Sequence, residues 1–166
     1  MLNIAVLVSG GGTNLQALID AQAAGRIPNG QISCVVSSKA DAFALKRAEN
    51  AQIPTEILLR KSFADGREYD AALIALLQRY QIDLVVLAGF MTIIGTSVIR
   101  VFENRIINVH PSLIPSFCGE GFYGLRVHEA ALKRGVKVTG ATVHFVNEVC
   151  DGGPIILQKA VSVQPG

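Results

Sequence analysis

Two runs of almost uninterrupted apolar residues constrain this chain more than any other feature. Leu2-Asn3-Ile4-Ala5-Val6-Leu7-Val8 and Asp83-Leu84-Val85-Val86-Leu87-Ala88 are far too short to span a membrane, and they lack the alternation of a strand with one wet face. Runs of this kind suit strands covered on both sides. The segments between them carry a helical period. Leu15, Leu18 and Ile19 follow the first run at helical spacing, and residues 65–80 place Tyr69, Leu73, Leu76, Leu77 and Tyr80 on one stripe. Residues 32–36 and 54–58 read as further strands. Residues 42–50 read as a helix capped by Asp41, and 96–102 as a short helix. Strands alternating with helices predict an α/β fold, an open, mostly parallel twisted sheet with helices on both faces.

A length of 166 residues fits a single domain, residues 1–166. Half of the residues are apolar and 17% are charged, so the chain can bury a sizeable core and is not of a disordered class. A net charge of +2 is too weak a footprint for nucleic acid, though it does not oppose a small anion. Three widely spaced cysteines, Cys34, Cys118 and Cys150, suit reduced thiols. No positively charged segment precedes the first apolar run, as a signal peptide would require. The expectation is a soluble, cytoplasmic protein without a membrane span.

The first apolar run breaks into Ser9-Gly10-Gly11-Gly12-Thr13-Asn14 just before a helix. Strand, glycine loop and helix start make the layout of an anion site. Glycines allow close approach of the backbone, and the unpaired N–H groups of the first helical turn point at the ligand. No Gly-Lys-Ser/Thr follows, and the spacing is not that of a dinucleotide loop. A phosphate monoester held by Gly12, Thr13 and Asn14 fits better, although such a loop can also be only a tight turn.

Ile106-Ile107-Asn108-Val109-His110-Pro111 is the most informative polar stretch. Asn108 and His110 are two apart and therefore share one face of an extended strand, which Pro111 reinforces. A carboxamide can donate to an oxyanion, and an imidazole can trade a proton near neutral pH, so the pair suits acyl transfer. The same pair could instead satisfy loop backbone groups; the local residues leave both readings open. Residues 140–146 alternate as a strand, with Val143 and Phe145 on one face and Thr142, His144 and Val146 on the other. Asp151-Gly152-Gly153-Pro154 then makes a turn before a last strand at 155–158. If Asp151 folds back onto His110, it would favour the imidazolium. Residues 116–124 read as a glycine-spaced loop with aromatics, a wall over the site, and residues 128–134 as a helix ending at Gly135. The histidines and cysteines show no paired ligand spacing, so no metal is expected.

Taken together, Ser9-Gly-Gly-Gly-Thr-Asn14-Leu, Leu87-Ala-Gly-Phe-Met91, Asn108-Val-His110-Pro-Ser-Leu-Ile-Pro115, Thr142-Val-His-Phe and Asp151-Gly-Gly-Pro closely resemble the glycinamide ribonucleotide formyltransferase family, in order and over essentially the whole chain. The resemblance implies a Rossmann-like formyltransferase fold. It also implies transfer of a formyl group from 10-formyltetrahydrofolate to the amine of glycinamide ribonucleotide in purine synthesis. It implies Asn108, His110 and Asp151 as the catalytic trio. Gly12, Thr13 and Asn14 would hold the substrate phosphate; Met91, Thr92, Ile93 and Ile94, with Asn108, would meet the folate. Gly89 and Thr142 would support the site, His144 would either support it or be a satisfied inner histidine, and Arg67 is the nearest match to an arginine on the folate tail. Thr92 stands where many relatives carry an arginine, the 116–124 loop is longer than in many, and members continue past position 166 with a helical segment. A formyltetrahydrofolate hydrolase and a non-catalytic phosphate-ligand sensor are the rival readings.

Overall fold

The computed structural model describes residues 1–164, and these form a seven-stranded, mostly parallel open sheet with five α-helices. The chain divides into two compact units, the first from Met1 to Ile106 and the second from Ile107 onward.

The first unit runs β1 (Leu2–Val8), α1 (Thr13–Ala23), β2 (Gly30–Ser37), α2 (Phe43–Asn50), β3 (Thr55–Ile57), α3 (Gly66–Arg79), β4 (Leu84–Leu87) and α4 (Thr96–Val101). Its strands lie in the order β3-β2-β1-β4 and all pair in parallel. The apolar runs are the reason. Ala5, Val6, Leu7 and Val8 have no exposed surface, and neither do Cys34, Val35, Val36 and Val85. Right-handed crossovers place α1 and α2 on one face as the chain moves outward from β1. Return across β1 to β4 puts α3 on the other face. Contacts follow this division, α1 touching α2 and α3 touching α4. The strand order reverses between β1 and β4, and the carboxyl ends of strands at such a point are where open α/β sheets bind ligands.

The stripe predicted for α3 is its buried face: Tyr69, Leu73, Leu76 and Leu77 are all covered. Asp65 caps this helix, its carboxylate accepting from Arg67 N and Glu68 N. The cap expected from Asp41 on α2 is absent. Ala42 occupies the cap position, no side chain caps it, and Ala44 N donates instead to the carbonyl of Gly10 at 3.0 Å. The backbone of the glycine loop has taken over what a capping side chain would do.

The second unit contains β5 (Ile106–His110), α5 (Leu125–Arg134), β6 (Val138–Phe145) and β7 (Ile155–Ser162), with β5-β6-β7 antiparallel. Asn108 lies opposite His144 and His110 opposite Thr142. β5 is less enclosed than its apolar composition predicts, Ile106 and His110 being buried and the three residues between them half-buried. Of the two faces of β6, the polar one is the better covered, through Thr142 and His144. α5 starts at Leu125, earlier than expected, and ends at Gly135 in the left-handed region, φ 77°. β7 continues to Ser162, beyond the apolar run at its start, and is exposed along its length. No helix among the described residues is long and apolar enough to cross a membrane.

Because Leu73 has no exposed surface and sits mid-stripe on α3, Leu73→Ala is expected to cost about 2–5 kcal/mol of stability. Equilibrium urea unfolding of both proteins measures it.

Candidate active site

Residues of β5, β6 and the turn before β7 build a buried polar cluster within the second unit. His110 and His144 are 4% and 2% exposed, which for imidazoles demands partners. The Asp151 carboxylate faces both rings, Oδ2 at 3.6 Å from His110 Nδ1 and Oδ1 at 3.7 Å from His144 Nε2. At these separations the attraction is electrostatic rather than a hydrogen bond. Asp151 Oδ2 also accepts from Gly119 N at 2.9 Å. Asp151 adopts φ 52°, a left-handed conformation that a non-glycine residue takes only when its surroundings hold it there. The turn must pass this close to β6: a Cβ on Gly153 would lie 1.7 Å from the carbonyl oxygen of Phe145, so only glycine fits.

The two ring environments differ. His110 Nε2 donates to the carbonyl of Phe117 at 2.8 Å. His144 Nδ1 lies 2.9 Å from the carbonyl of Phe145, while its Nε2 lies 3.2 Å from the Asn108 amide nitrogen. With Nδ1–H donating to Phe145, a neutral His144 accepts from Asn108; a charged one requires the amide to turn its oxygen toward the ring. Burial alone would lower the His144 pKa, but Asp151 and the Phe145 carbonyl outweigh it and raise it. Burial alone would raise Asp151; His144, the Gly119 N–H and His110 together hold it below the usual carboxylate range. Both directions favour the ion pair.

Beneath the cluster, Thr142, expected as a supporting residue, binds the chain through its hydroxyl. Its hydroxyl donates to Ser112 O at 2.7 Å and accepts from Ile114 N at 3.1 Å and from Gln158 Nε2 at 3.0 Å. Ser112, fully buried, donates to Ser116 O at 2.6 Å. Together they fix the path of the chain after His110 and bring the 116–124 loop back to it.

The glycine loop lies in the first unit, at the carboxyl end of β1. Its carbonyls are all turned inward: Gly10 O accepts from Ala44 N, Gly11 O from Arg47 Nε at 2.7 Å, and Gly12 O from Gln16 N at 2.9 Å. Among the described residues no side chain caps α1, so its first N–H groups, at Thr13 and Asn14, remain available to an anion. Gly12 sits at φ 73°, and a Cβ there would lie 2.6 Å from Ala44 Cβ. The glycine is therefore needed for contact with α2 as well as for the turn. Gly10 and Gly11 face open space. Arg47 and Ser9 were missed in the sequence. Arg47 also donates to Gln16 Oε1 at 3.1 Å, bracing the loop, and Ser9 Oγ accepts from Met91 N at 2.8 Å. That bond ties the glycine loop to the segment after β4.

In that segment Gly89 turns at φ 71°, Met91 and Ile93 are exposed, Thr92 is half-buried and Ile94 is buried. Asp70, another residue the sequence did not flag, anchors its far end by accepting from Gly95 N and Ser97 Oγ. Arg67 is elsewhere. With Asp70, Ala71, Ile74, Thr96, Ser97 and Arg100 it lines an open groove of about 470 Å³ whose walls do not include Met91, Thr92, Ile93 or Ile94. Among the described residues no group of three or more His, Cys, Asp or Glu is placed to hold a metal ion.

The formyl transferase family model matches residues 2–166. The chain belongs to that family. Formyl transferases similar to it include the phosphoribosylglycinamide formyltransferase of Haemophilus influenzae, 47% identical, with 99% of this chain and 75% of that protein covered. The enzyme of the same name from Escherichia coli K12 is 44% identical, with the same coverage of each. Among solved structures, glycinamide ribonucleotide transformylase 1 from Symbiobacterium toebii superposes with a TM-score of 0.92 at 46% identity, covering 99% of this chain and 75% of that one. The chain is thus a formyl transferase enzyme with that family's open, mostly parallel fold.

The pairing of His144 with Asp151 has a signed consequence for stability. The His144 pKa is raised in the fold, so its contribution is present below its ordinary value of about 6.5 and fades as pH rises through the folded value. The Asp151 pKa is lowered, so its contribution holds above the ordinary carboxylate value and is lost as pH falls. Asp151→Asn should therefore destabilise the protein more at about pH 5.5 than at about pH 8.5. Denaturant midpoints at the two pH values decide; an equal or reversed difference would show that the pair does not stabilise the fold.

Proposed function

We propose that this formyl transferase moves the formyl group of 10-formyltetrahydrofolate to the amine of glycinamide ribonucleotide, a step of purine biosynthesis, and acts as a cytoplasmic enzyme. The observation that carries the reading is the Asp151 carboxylate set between two buried imidazoles, with the Asn108 amide on the neighbouring strand. The names of the similar proteins point to the same substrate pair.

In this reading the neutral amine attacks the formyl carbon directly. Negative charge then develops on the formyl oxygen, and Asn108 donates an amide N–H to it. Protonated His144 helps Asn108 do so. A charged ring takes the amide oxygen of Asn108 as acceptor, which leaves the amide N–H groups to face the substrate. His110 supplies a proton to the departing folate nitrogen through Nε2, once that atom leaves the carbonyl of Phe117. Asp151 holds the His110 ring from its Nδ1 side. The inward-turned carbonyls of Gly10, Gly11 and Gly12 leave the α1 terminus, with Thr13 and Asn14, to bind the ribonucleotide phosphate. Met91 to Ile94 and Asn108 would meet the folate. Arg67 keeps a weaker place, as a cation for the folate tail. No metal and no covalent enzyme intermediate are required.

Formyl transfer assayed with and without glycinamide ribonucleotide tests the whole reading. Turnover only in its presence is expected; equal loss of the formyl group without it would identify a hydrolase, and none in either case a non-catalytic sensor. Asn108→Ala should lower kcat by on the order of 10²–10³ while substrate binding changes far less. If it weakens only folate binding, the oxyanion role is wrong. Gly12→Val cannot test the phosphate site cleanly, because Ala44 already occupies the space a side chain would need. Asn14→Asp does so better. This side chain is exposed, and the substitution places a negative charge beside the anion. The KM for glycinamide ribonucleotide should rise more than tenfold, beyond about 1.4 kcal/mol, with the folate KM unchanged. An unchanged ribonucleotide KM would move the phosphate elsewhere.

A further inference from the structure

Two thiols flank the catalytic cluster, and the chemistry proposed above uses neither. Cys118 lies in the 116–124 loop and Cys150 immediately precedes Asp151. Both are free, Cys150 exposed and Cys118 half-buried. One carboxylate oxygen connects them. Asp151 Oδ2 accepts from the backbone N–H of Gly119, the residue after Cys118, at 2.9 Å, and lies 3.9 Å from Cys150 Sγ. Cys118 Sγ itself points at Pro115 O, 3.3 Å away.

We propose that Cys118 and Cys150 form a reversible oxidation site that takes a low-molecular-weight disulfide as oxidant, and that the bond between them latches the 116–124 loop over His110. Cys150, the more exposed, attacks the small disulfide as its thiolate and expels one small thiol. The Cys118 thiolate then attacks the Cys150 sulfur and expels the second. Two protein S–H bonds become one S–S bond, and two small thiols carry away the electrons and protons. The latched loop keeps the Phe117 carbonyl on His110 Nε2, the atom that must face the substrate if His110 is the acid. This last step rests on the proposed function; the cross-link does not.

The electrostatics give the site its character. Burial and then the Asp151 charge push the Cys118 thiol up. Burial, Asp151, Glu120 and Cys118 do the same for Cys150. Thiols without stabilised thiolates react slowly, but the disulfide they form resists reduction, since the reduced state gains nothing from thiolate stabilisation. Such a pair responds to sustained oxidation rather than to a brief pulse. Cys34 is the internal control, fully buried and pushed up to about 12 by that burial.

The test treats the full chain with glutathione disulfide, blocks the remaining thiols and maps the peptides by mass. The expected product links Cys118 to Cys150 within one chain and leaves Cys34 reduced. Amide exchange in the 116–124 loop should slow in the linked protein. Formyl transfer should fall in proportion to the linked fraction and return with dithiothreitol. Cys118→Ser and Cys150→Ser should keep basal activity and lose none on treatment. Mixed disulfides at single cysteines, or a link between two chains, would overturn the site. A correct link with unchanged loop exchange would overturn the latch, and so would a correct link with undiminished transfer. An inactive reduced protein would count against the proposed function instead, leaving the peptide map and the exchange rates to decide the latch.

Discussion

The second unit depends on one carboxylate. Asp151 is the charge that two buried imidazoles share, and it also takes the N–H of Gly119 and so holds the 116–124 loop. At 3.6 and 3.7 Å the attractions are longer than hydrogen bonds, yet together with the Phe145 carbonyl and the Gly119 N–H they outweigh burial, raising the His144 pKa and lowering that of Asp151. The same cluster also orients its members. It points both rings and, through His144, the Asn108 amide, while the backbone carbonyls of Phe117 and Phe145 hold the far side of each ring.

Much of the fold was legible because burial on both faces leaves a mark that composition cannot hide. The apolar runs became β1 and β4, and the stripe on residues 65–80 became the buried face of α3. The alternation in β6 was legible too, but not which face would be covered. Apolarity points to Val143 and Phe145, yet Thr142 and His144 are the more enclosed, because every polar atom they bury finds a partner. The end of β7 was hidden for the opposite reason: an exposed edge strand is held by backbone pairing to β6, for which its side chains carry no signal.

The site divided in the same way. Side chains whose chemistry is distinctive, Asn108, His110 and Asp151, could be singled out, and the structure brings them together with His144. The groups that hold them are mostly backbone: the carbonyl of Phe117, the N–H of Gly119, the inward carbonyls of the glycine loop. A sequence does not display these. Arg47, Asp70, Ser9 and Ser112 read as ordinary surface or loop residues until their partners in distant segments are known. The glycine loop adds a subtler case. Gly12 was expected for its closeness to a ligand, whereas its closeness to Ala44 is what the packing itself demands.

The left-handed backbone at Asp151 sets local strain against a buried charge at a single position. A residue with a Cβ held at φ 52° costs on the order of 1 kcal/mol, which glycine would recover. Glycine would also delete the carboxylate around which the cluster is arranged. The position therefore accepts backbone strain in exchange for a buried charge that no glycine could carry.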